Sequence, residues 1–357
     1  MKTYTKFFIL NFVKSFFYVT FILFCLIIIL NVLSELEFFK KINVSSFFPI
    51  YLATLNAPSF IFEMFPFIFI LSTQLFFVNI FEDNQIQIFK YSGLRNIQII
   101  KTICLTTFIL SFMIIFFFYN ISSNLKSYYL ELKFKYTADG KYLAVVTNNG
   151  LWIKDVVDED VYIVNASKIN ENFLIDAFIT QFDNEYNVIR NIKTSKIDIK
   201  KNDWLIHNPI IFQENKKNKM STLNLYSNFN HEKIKNLFSN LSSLSLNELI
   251  KLKKNYDTLN YSSTDVSIQI QKLISYPIFL TMMTLLSAII MFNSKTLKSN
   301  TLKLVFGLFV SVIIYYINNF FNVLGNTEKL SILSSVWIPL MLLILTNTIY
   351  LRKINEK

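Results

Sequence analysis

Hydrophobic residues gather in six long blocks along the chain, at about 16–33, 59–81, 98–119, 270–292, 302–323 and 331–351. Each is close to the roughly 20 residues an α-helix needs to cross ~30 Å of hydrocarbon. The pattern predicts six membrane-spanning helices in two groups of three. A short amphipathic stretch, Lys6–Lys14, precedes the first block and is expected to lie along the membrane surface. Pro58 and Pro66 flank the expected start of the second helix, and Pro277 sits early in the fourth. Such prolines are tolerated where neighbouring helices satisfy the carbonyl they free. The first block is long for a signal peptide and lacks a small-x-small cleavage site, so it is expected to be a retained helix.

Residues 120–268 carry a different pattern. Tyr142–Thr147, Leu151–Val156, Val161–Val164, Phe178–Phe182, Lys196–Lys200 and Trp204–Ile206 are short apolar or alternating runs. Asn148-Asn149-Gly150, Asp183-Asn184-Glu185 and Lys201-Asn202-Asp203 are turn signals between them. Short strands at this spacing predict a sandwich, jelly roll or open barrel. Its inward positions are expected at Leu151, Ile153, Val161, Ile163, Phe178 and Phe182. Beyond residue 215 the chain turns polar and rich in Lys and Asn, until Ser245-Leu-Asn-Glu248 offers a capping box for a helix to about Lys254. The expected organisation is residues 1–120 for helices one to three, 121–268 for the β domain with its connecting segment, and 269–357 for helices four to six.

Charge adds orientation. The formal charge of +11 suggests a nucleic-acid surface until it is located. Residues 121–267 hold 19 Lys/Arg against 17 Asp/Glu, which leaves 16 against 7 elsewhere, so the excess belongs to the membrane part. With the N-terminus inside, the inner segments carry twelve Lys/Arg and the short outer loops three, Lys40, Lys41 and Lys329. The positive-inside rule then places both termini in the cytoplasm and the β domain across the membrane.

Chemistry-bearing motifs are missing. The five glycines form no phosphate loop, and no G-x-x-x-x-G-K or G-x-S-x-G is present. His207 and His231 stand apart, and Cys25 and Cys104 lie inside apolar blocks. No catalytic residue, metal site or cofactor is expected. Glu63 and Lys272, near the outer ends of helices two and four, are the intramembrane charges that stand out.

Several local strings carry a resemblance. Pro58-Ser-Phe-Ile-Phe-Glu63-Met-Phe-Pro66, Gln85-Ile-Gln-Ile-Phe-Lys90-Tyr-Ser-Gly93, Gly150-Leu-Trp152 before Val161-Tyr-Ile, Leu273-Ile-Ser-Tyr-Pro277 and Trp337-Ile-Pro339 occur in that order. Together they resemble the LptF/LptG family, the membrane subunits of the lipopolysaccharide export ABC transporter, and are nearer LptG. The resemblance implies six transmembrane α-helices (3+3) with a periplasmic β-jellyroll domain inserted between helices 3 and 4. It implies a bacterial inner-membrane location and a heterodimer with an LptF-type permease. It also implies a cytoplasmic LptB-type ATPase dimer, an LptC-type membrane-anchored periplasmic protein, and lipopolysaccharide as the transported ligand. Nucleic acid is not expected.

The 82–95 segment resembles the family's ATPase-coupling segment, which would involve Glu82, Asp83, Gln85, Ile86, Ile88, Phe89, Lys90, Gly93 and Arg95. Gln85 stands where the family carries an acid, which weakens that contact or shifts it to Glu82 or Asp83. Ile86, Ile88 and Phe89 are expected to plug a groove on the ATPase with Lys90 or Arg95 at the rim. A multi-acyl anionic lipid needs an apolar wall and cations at its mouth. Phe24 and Ile28 of helix one and Phe306, Phe309 and Ile313 of helix five are the expected wall, and Lys40, Lys41, Lys133 and Lys135 the cations. Competing readings are another ABC exporter, for lipoprotein or drug, and a membrane-anchored β-domain scaffold without transport.

Overall fold

The computed structural model of the chain describes residues 3–40, 42, 44–82, 85–91, 93–134, 136, 151–170, 172–213, 216–231, 234, 240–258, 262–292 and 299–355. Lys41, Asp83, Lys135 and the expected strand and turn over 142–150 lie outside them, as do the side chains of Glu82, Ile86 and Lys90. The chain divides into two compact units, one of residues 1–126 with 264–357 and one of residues 127–263.

In the first unit, α1 (Thr3–Phe39), α2 (Phe47–Glu82) and α3 (Gln85–Tyr91) are followed by a continuous helical run. That run comprises α4 (Asn96–Met113), a π-helical stretch at Ile114–Tyr119 and α5 (Asn120–Phe134). After the insert come α7 (Thr264–Phe292), α8 (Asn300–Asn326) and α9 (Ile332–Asn355). Six of these segments are long and apolar enough to cross a membrane.

The 37 residues of α1 span about 55 Å at 1.5 Å per residue. Lys6–Lys14 is part of this one helix, not a separate surface segment. Phe8, Phe12, Phe16 and Val19 recur at helical spacing and are buried, with Phe8 and Phe12 meeting the Phe76 ring edge-on at 6.3 and 6.0 Å. That packing continues the helix N-terminally beyond the apolar block.

Helix α2 likewise begins at Phe47, well before Pro58, so both prolines are interior. Pro66 has no N–H for the Phe62 carbonyl one turn back. The Tyr276 hydroxyl of α7 donates to that carbonyl at 2.6 Å, and its ring stacks on Phe62 at 4.9 Å. Tyr276→Phe deletes only the hydroxyl and should cost about 1 kcal/mol of stability in detergent unfolding; an unchanged unfolding midpoint would show that the freed carbonyl needs no partner.

Because lipid is as apolar as leucine, polar and small groups join the helices. Ser287 Oγ donates to Ile70 O at 3.0 Å, Asn347 Nδ2 to Met282 O at 2.9 Å, and Thr107 and Thr284 share a hydrogen bond of 3.1 Å. In its most apolar window α7 is 67% buried and α2 61%, whereas α1 is 17% and α8 11%. The first pair forms the centre of the bundle; the second presents most of its surface outward.

Among its described residues the second unit holds one antiparallel sheet of eight strands in the order β1-β2-β3-β4-β5-β8, with β6 beside β4 and β7 beside β6. The strands are β1 (Leu151–Val157), β2 (Asp160–Asn170), β3 (Phe173–Phe182) and β4 (Val188–Asp198), then β5 (Asp203–His207), β6 (Ile210–Gln213), β7 (Lys216–Lys219) and β8 (Thr222–Tyr226). The register Ile153↔Val164↔Ile179↔Ile192 puts these four residues on one buried face. Strict alternation then sends Val161, Ile163, Phe178 and Phe182 to the other face, where Phe178 is 40% exposed but Val161 is buried, so Leu151 and Ile153 of the expected inward set line the buried face and Val161 is covered from the opposite one. Asp176 at φ 50° and the skipped pairing around it bend β3.

The sheet's ends are drawn together. The buried Asp155 carboxylate on β1 accepts from Ser227 Oγ at 2.7 Å, Asn228 N at 3.0 Å and Asn228 Nδ2 at 2.9 Å, all just past β8. Trp204 Nε1 donates to Phe229 O at 2.7 Å in the same segment. These bonds curl the sheet into a jellyroll-like shape. The Lys/Asn-rich tract that showed no strand signal contains β7 and β8. All four β7 residues, Lys-Lys-Asn-Lys, are exposed, and lysines on an edge strand deter pairing with other chains. The expected capping box opens α6 (Leu246–Thr258), with Ser245 N donating to Glu248 Oε2 at 2.7 Å.

Candidate coupling and lipid-facing surfaces

Helix α3 follows α2 closely and is anchored by its own aromatic residue. The Phe89 ring lies 5.6 Å from Phe7 and 4.8 Å from Phe8 of α1. Gly93, at φ 81°, ends the helix by taking the left-handed conformation that other residues reach only at a cost, and Leu94 N–H closes back on Phe89 O at 3.0 Å. Arg95, exposed and extended, then caps α4, its N–H accepted by Gln98 Oε1 at 3.1 Å. With Phe89 turned toward α1, the outward groups are Ile88, 63% exposed, and Tyr91, 89% exposed. The expected trio is therefore split: Ile88 faces out and Phe89 holds the element in place. Tyr91 was missed because an aromatic in a seven-residue helix carries no periodic signal of its own. Gln85 is half-buried.

The outward faces of α1 and α8 are apolar. On α1 they are carried by Phe17, Phe21, Ile22, Leu26, Ile29 and Leu33, and on α8 by Phe306, Phe309, Ile313 and Phe320. Phe24 and Ile28 instead lean on the bundle core and are only part-exposed. Phe306, Phe309 and Ile313, expected to line a wall, are exposed. Contiguous apolar surface on this scale marks contact with lipid or another protein.

The cations divide similarly. Lys40 is exposed in the turn that closes α1. Lys133 is not an open-mouth cation: it is buried, with Nζ on the Tyr129 hydroxyl at 2.9 Å and 5.3 Å from that ring. Glu63 is exposed and has both Lys126 of α5 and Lys272 of α7 within electrostatic reach, so its counter-charges come from the same chain. Lys126 was overlooked because it lies beyond the apolar block that marks the third span.

Lys303 also departs from expectation. Read as an inner-loop charge, it is buried, with Nζ donating to Met291 O at the end of α7 at 3.0 Å and lying 5.5 Å from the Phe81 ring. Gln74 of α2, fully buried, donates through Nε2 to Lys303 O at 2.9 Å. Among the described residues no cluster of three or more His, Cys, Asp or Glu side chains could hold a metal ion.

A family model described as lipopolysaccharide export system permease LptF/LptG matches residues 6–353 of the chain. No curated protein matches it.

Proposed function

Since the chain belongs to the LptF/LptG family of lipopolysaccharide export permeases, a multi-pass inner-membrane protein of an ABC transport system, we propose that it extracts lipopolysaccharide from the inner membrane and hands it to periplasmic bridge proteins. The observation that carries this reading is the outward apolar face on each of α1 and α8, whose most apolar windows are 17% and 11% buried. A second permease facing them would enclose an apolar space wide enough for several acyl chains. We assign this chain to the LptG side of such a pair, with an LptF-type partner.

In this mechanism Phe21, Ile29, Phe306, Phe309 and Ile313 contact acyl chains. Lys40, with Lys41 and Lys135, supplies cations for the lipid's phosphates, since charge-assisted bonds to phosphate are the strong ones. An LptB-type ATPase dimer binds on the cytoplasmic side at the 82–95 segment. Ile88 and Tyr91 enter its groove, Arg95 lies at the rim, and Phe89 transmits force to α1. Nucleotide-driven closure expels the lipid toward the periplasmic β domain and an LptC-type protein. Both termini are cytoplasmic, as the positive-inside count requires.

Two variants separate docking from anchoring. Ile88→Asp should abolish co-purification of the ATPase and change detergent stability little, because the side chain is 63% exposed. Phe89→Asp should lose the ATPase and also lower the unfolding temperature. Retention of the ATPase by Ile88→Asp would refute the docking role. For the substrate, photocrosslinkers at Phe21 and Phe309 in the reconstituted complex should capture lipopolysaccharide and lose it on ATP addition; capture of phospholipid alone would remove the proposed cargo.

A further inference from the structure

Helix α8 is the least embedded of the six spans, and its few buried residues fall in two groups. At the outer end Asn322 and Gly325 are buried, and a Cβ on Gly325 would sit 2.5 Å from Ser335 Oγ of α9. At the inner end the buried residues are Lys303, Gly307 and Ser311. No residue between Ser311 and Asn322 is buried, and there the helix meets the bundle more lightly, through Ile314 beside Ile70, Met283 and Leu343 and through the Tyr315 ring 5.5 Å from Phe67, so the lipid-facing stretch lies between two firmer fastenings.

The inner fastening is unusual in its chemistry. Gln74 Nε2 donates to Lys303 O at 2.9 Å, and the Gln74 amide lies directly against Gly307, where a Cβ would collide with it. The other amide atom, Gln74 Oε1, is buried with no hydrogen-bond partner. An amide with one orphaned oxygen is a poor choice for stability alone, because an unmet buried acceptor costs about 1–3 kcal/mol. The same residue, Lys303, sends its ammonium to Met291 O of α7 and over the Phe81 ring of α2. Phe77 and Phe81 meet Phe292 of α7 at 4.9 and 5.8 Å. The ends of α2 and α7 and the first turns of α8 are thus one tied block. Gln74 stands about 12 Å along α2 from Glu82, just ahead of α3.

We infer that Gln74 is a positioning residue that couples the ATPase-docking helix α3 to the lipid-facing helix α8, through its bond to the Lys303 carbonyl and the close approach Gly307 permits. The inference rests on the transport reading above. Displacement of α3 moves the end of α2, and Gln74 drags the inner end of α8 with it. The mid-section of α8, held more lightly through Ile314 and Tyr315, swings in consequence. Without the bond, α2 grips α8 only through looser contacts such as Lys303 over Phe81 and Tyr315 on Phe67, and most of the push is lost.

The test uses the whole complex, this permease with its partner permease and ATPase, in vesicles containing lipopolysaccharide. Gln74→Met keeps the length and volume, removes the donor and removes the orphaned oxygen, so the bundle should be at least as stable as the parent. Nucleotide hydrolysis should persist, while lipid transferred per ATP hydrolysed should fall about tenfold. Spin labels at Gln87 and Ile317, both exposed, should show a nucleotide-dependent change in separation in the parent complex that is missing in the variant. A purely structural role would move stability and leave these two readouts alone. Should Gln74→Met fail to fold, Gln74→Asn, one methylene too short to reach Lys303 O, serves as the same test. Unaltered transfer per ATP and an unaltered label response in the variant would overturn the coupling role. Failure of the parent complex to transfer lipid at all would instead overturn the transport reading.

Discussion

Asp155→Ala should destabilise the β domain by about 3 kcal/mol, because it strips a buried carboxylate from three donors at once. Ser227 Oγ, Asn228 N and Asn228 Nδ2 have exchanged water for this one group, and alanine returns nothing to them. The loss is topological as well as local. β1 and β8 stand at opposite ends of the strand order, and the Asp155 bonds bring them together. Hydrogen exchange on the intact protein reads this directly: protection of residues 225–231 and of β1 should fall together, while β3 and β4 in the middle of the sheet keep theirs. Unchanged protection at Ser227–Phe229 would show that the curl is held by something else. Asp155→Asn should recover little, since its amide nitrogen faces donors.

Gly307→Ala should cost about 2–3 kcal/mol in the membrane unit, as overpacking at a close helix contact does. The added methyl has no free volume: it would displace the fully buried Gln74 amide, and with it the bond to Lys303 O. Rescue identifies the cause. Gln74→Ala in the Gly307→Ala background makes room for the methyl, so the double variant should unfold at a higher temperature than Gly307→Ala alone. Strict additivity of the two substitutions would mean that they do not meet. Stability and coupling should then part: the rescued protein should still transfer lipid poorly, because the amide is gone.

The α3 region shows how function is spread over residues of unlike exposure. An apolar element between two spans invites the reading that all of its apolar residues dock on a partner. Here Phe89 faces the Phe7 and Phe8 rings, and only Ile88 and Tyr91 are turned outward. Charging Phe89 and charging Ile88 therefore probe different properties, and a loss of function at Phe89 alone says nothing about the ATPase groove.

Span number, the place of the β insert and the α6 capping box were legible in the sequence, because run length, strand alternation and the Ser245–Glu248 spacing are properties of neighbouring residues. Gly93 entered only through the resemblance of the 82–95 segment, and its turn at φ 81° after a short helix came from the structure. What only the tertiary structure decided is which side of each apolar helix meets which surface. A span that is hydrophobic all round has no polar face to mark its orientation, so Phe24 and Phe21 look alike in sequence although one leans on the core and the other faces out. The inward face of the sheet turned on register, where a shift of one residue exchanges Ile163 for Val164. Strand β7 escaped notice because lysines on an outer edge mask β alternation. The Gln74–Lys303 bond joins residues far apart in the chain, and no local pattern records a contact that exists only once α2, α7 and α8 have packed.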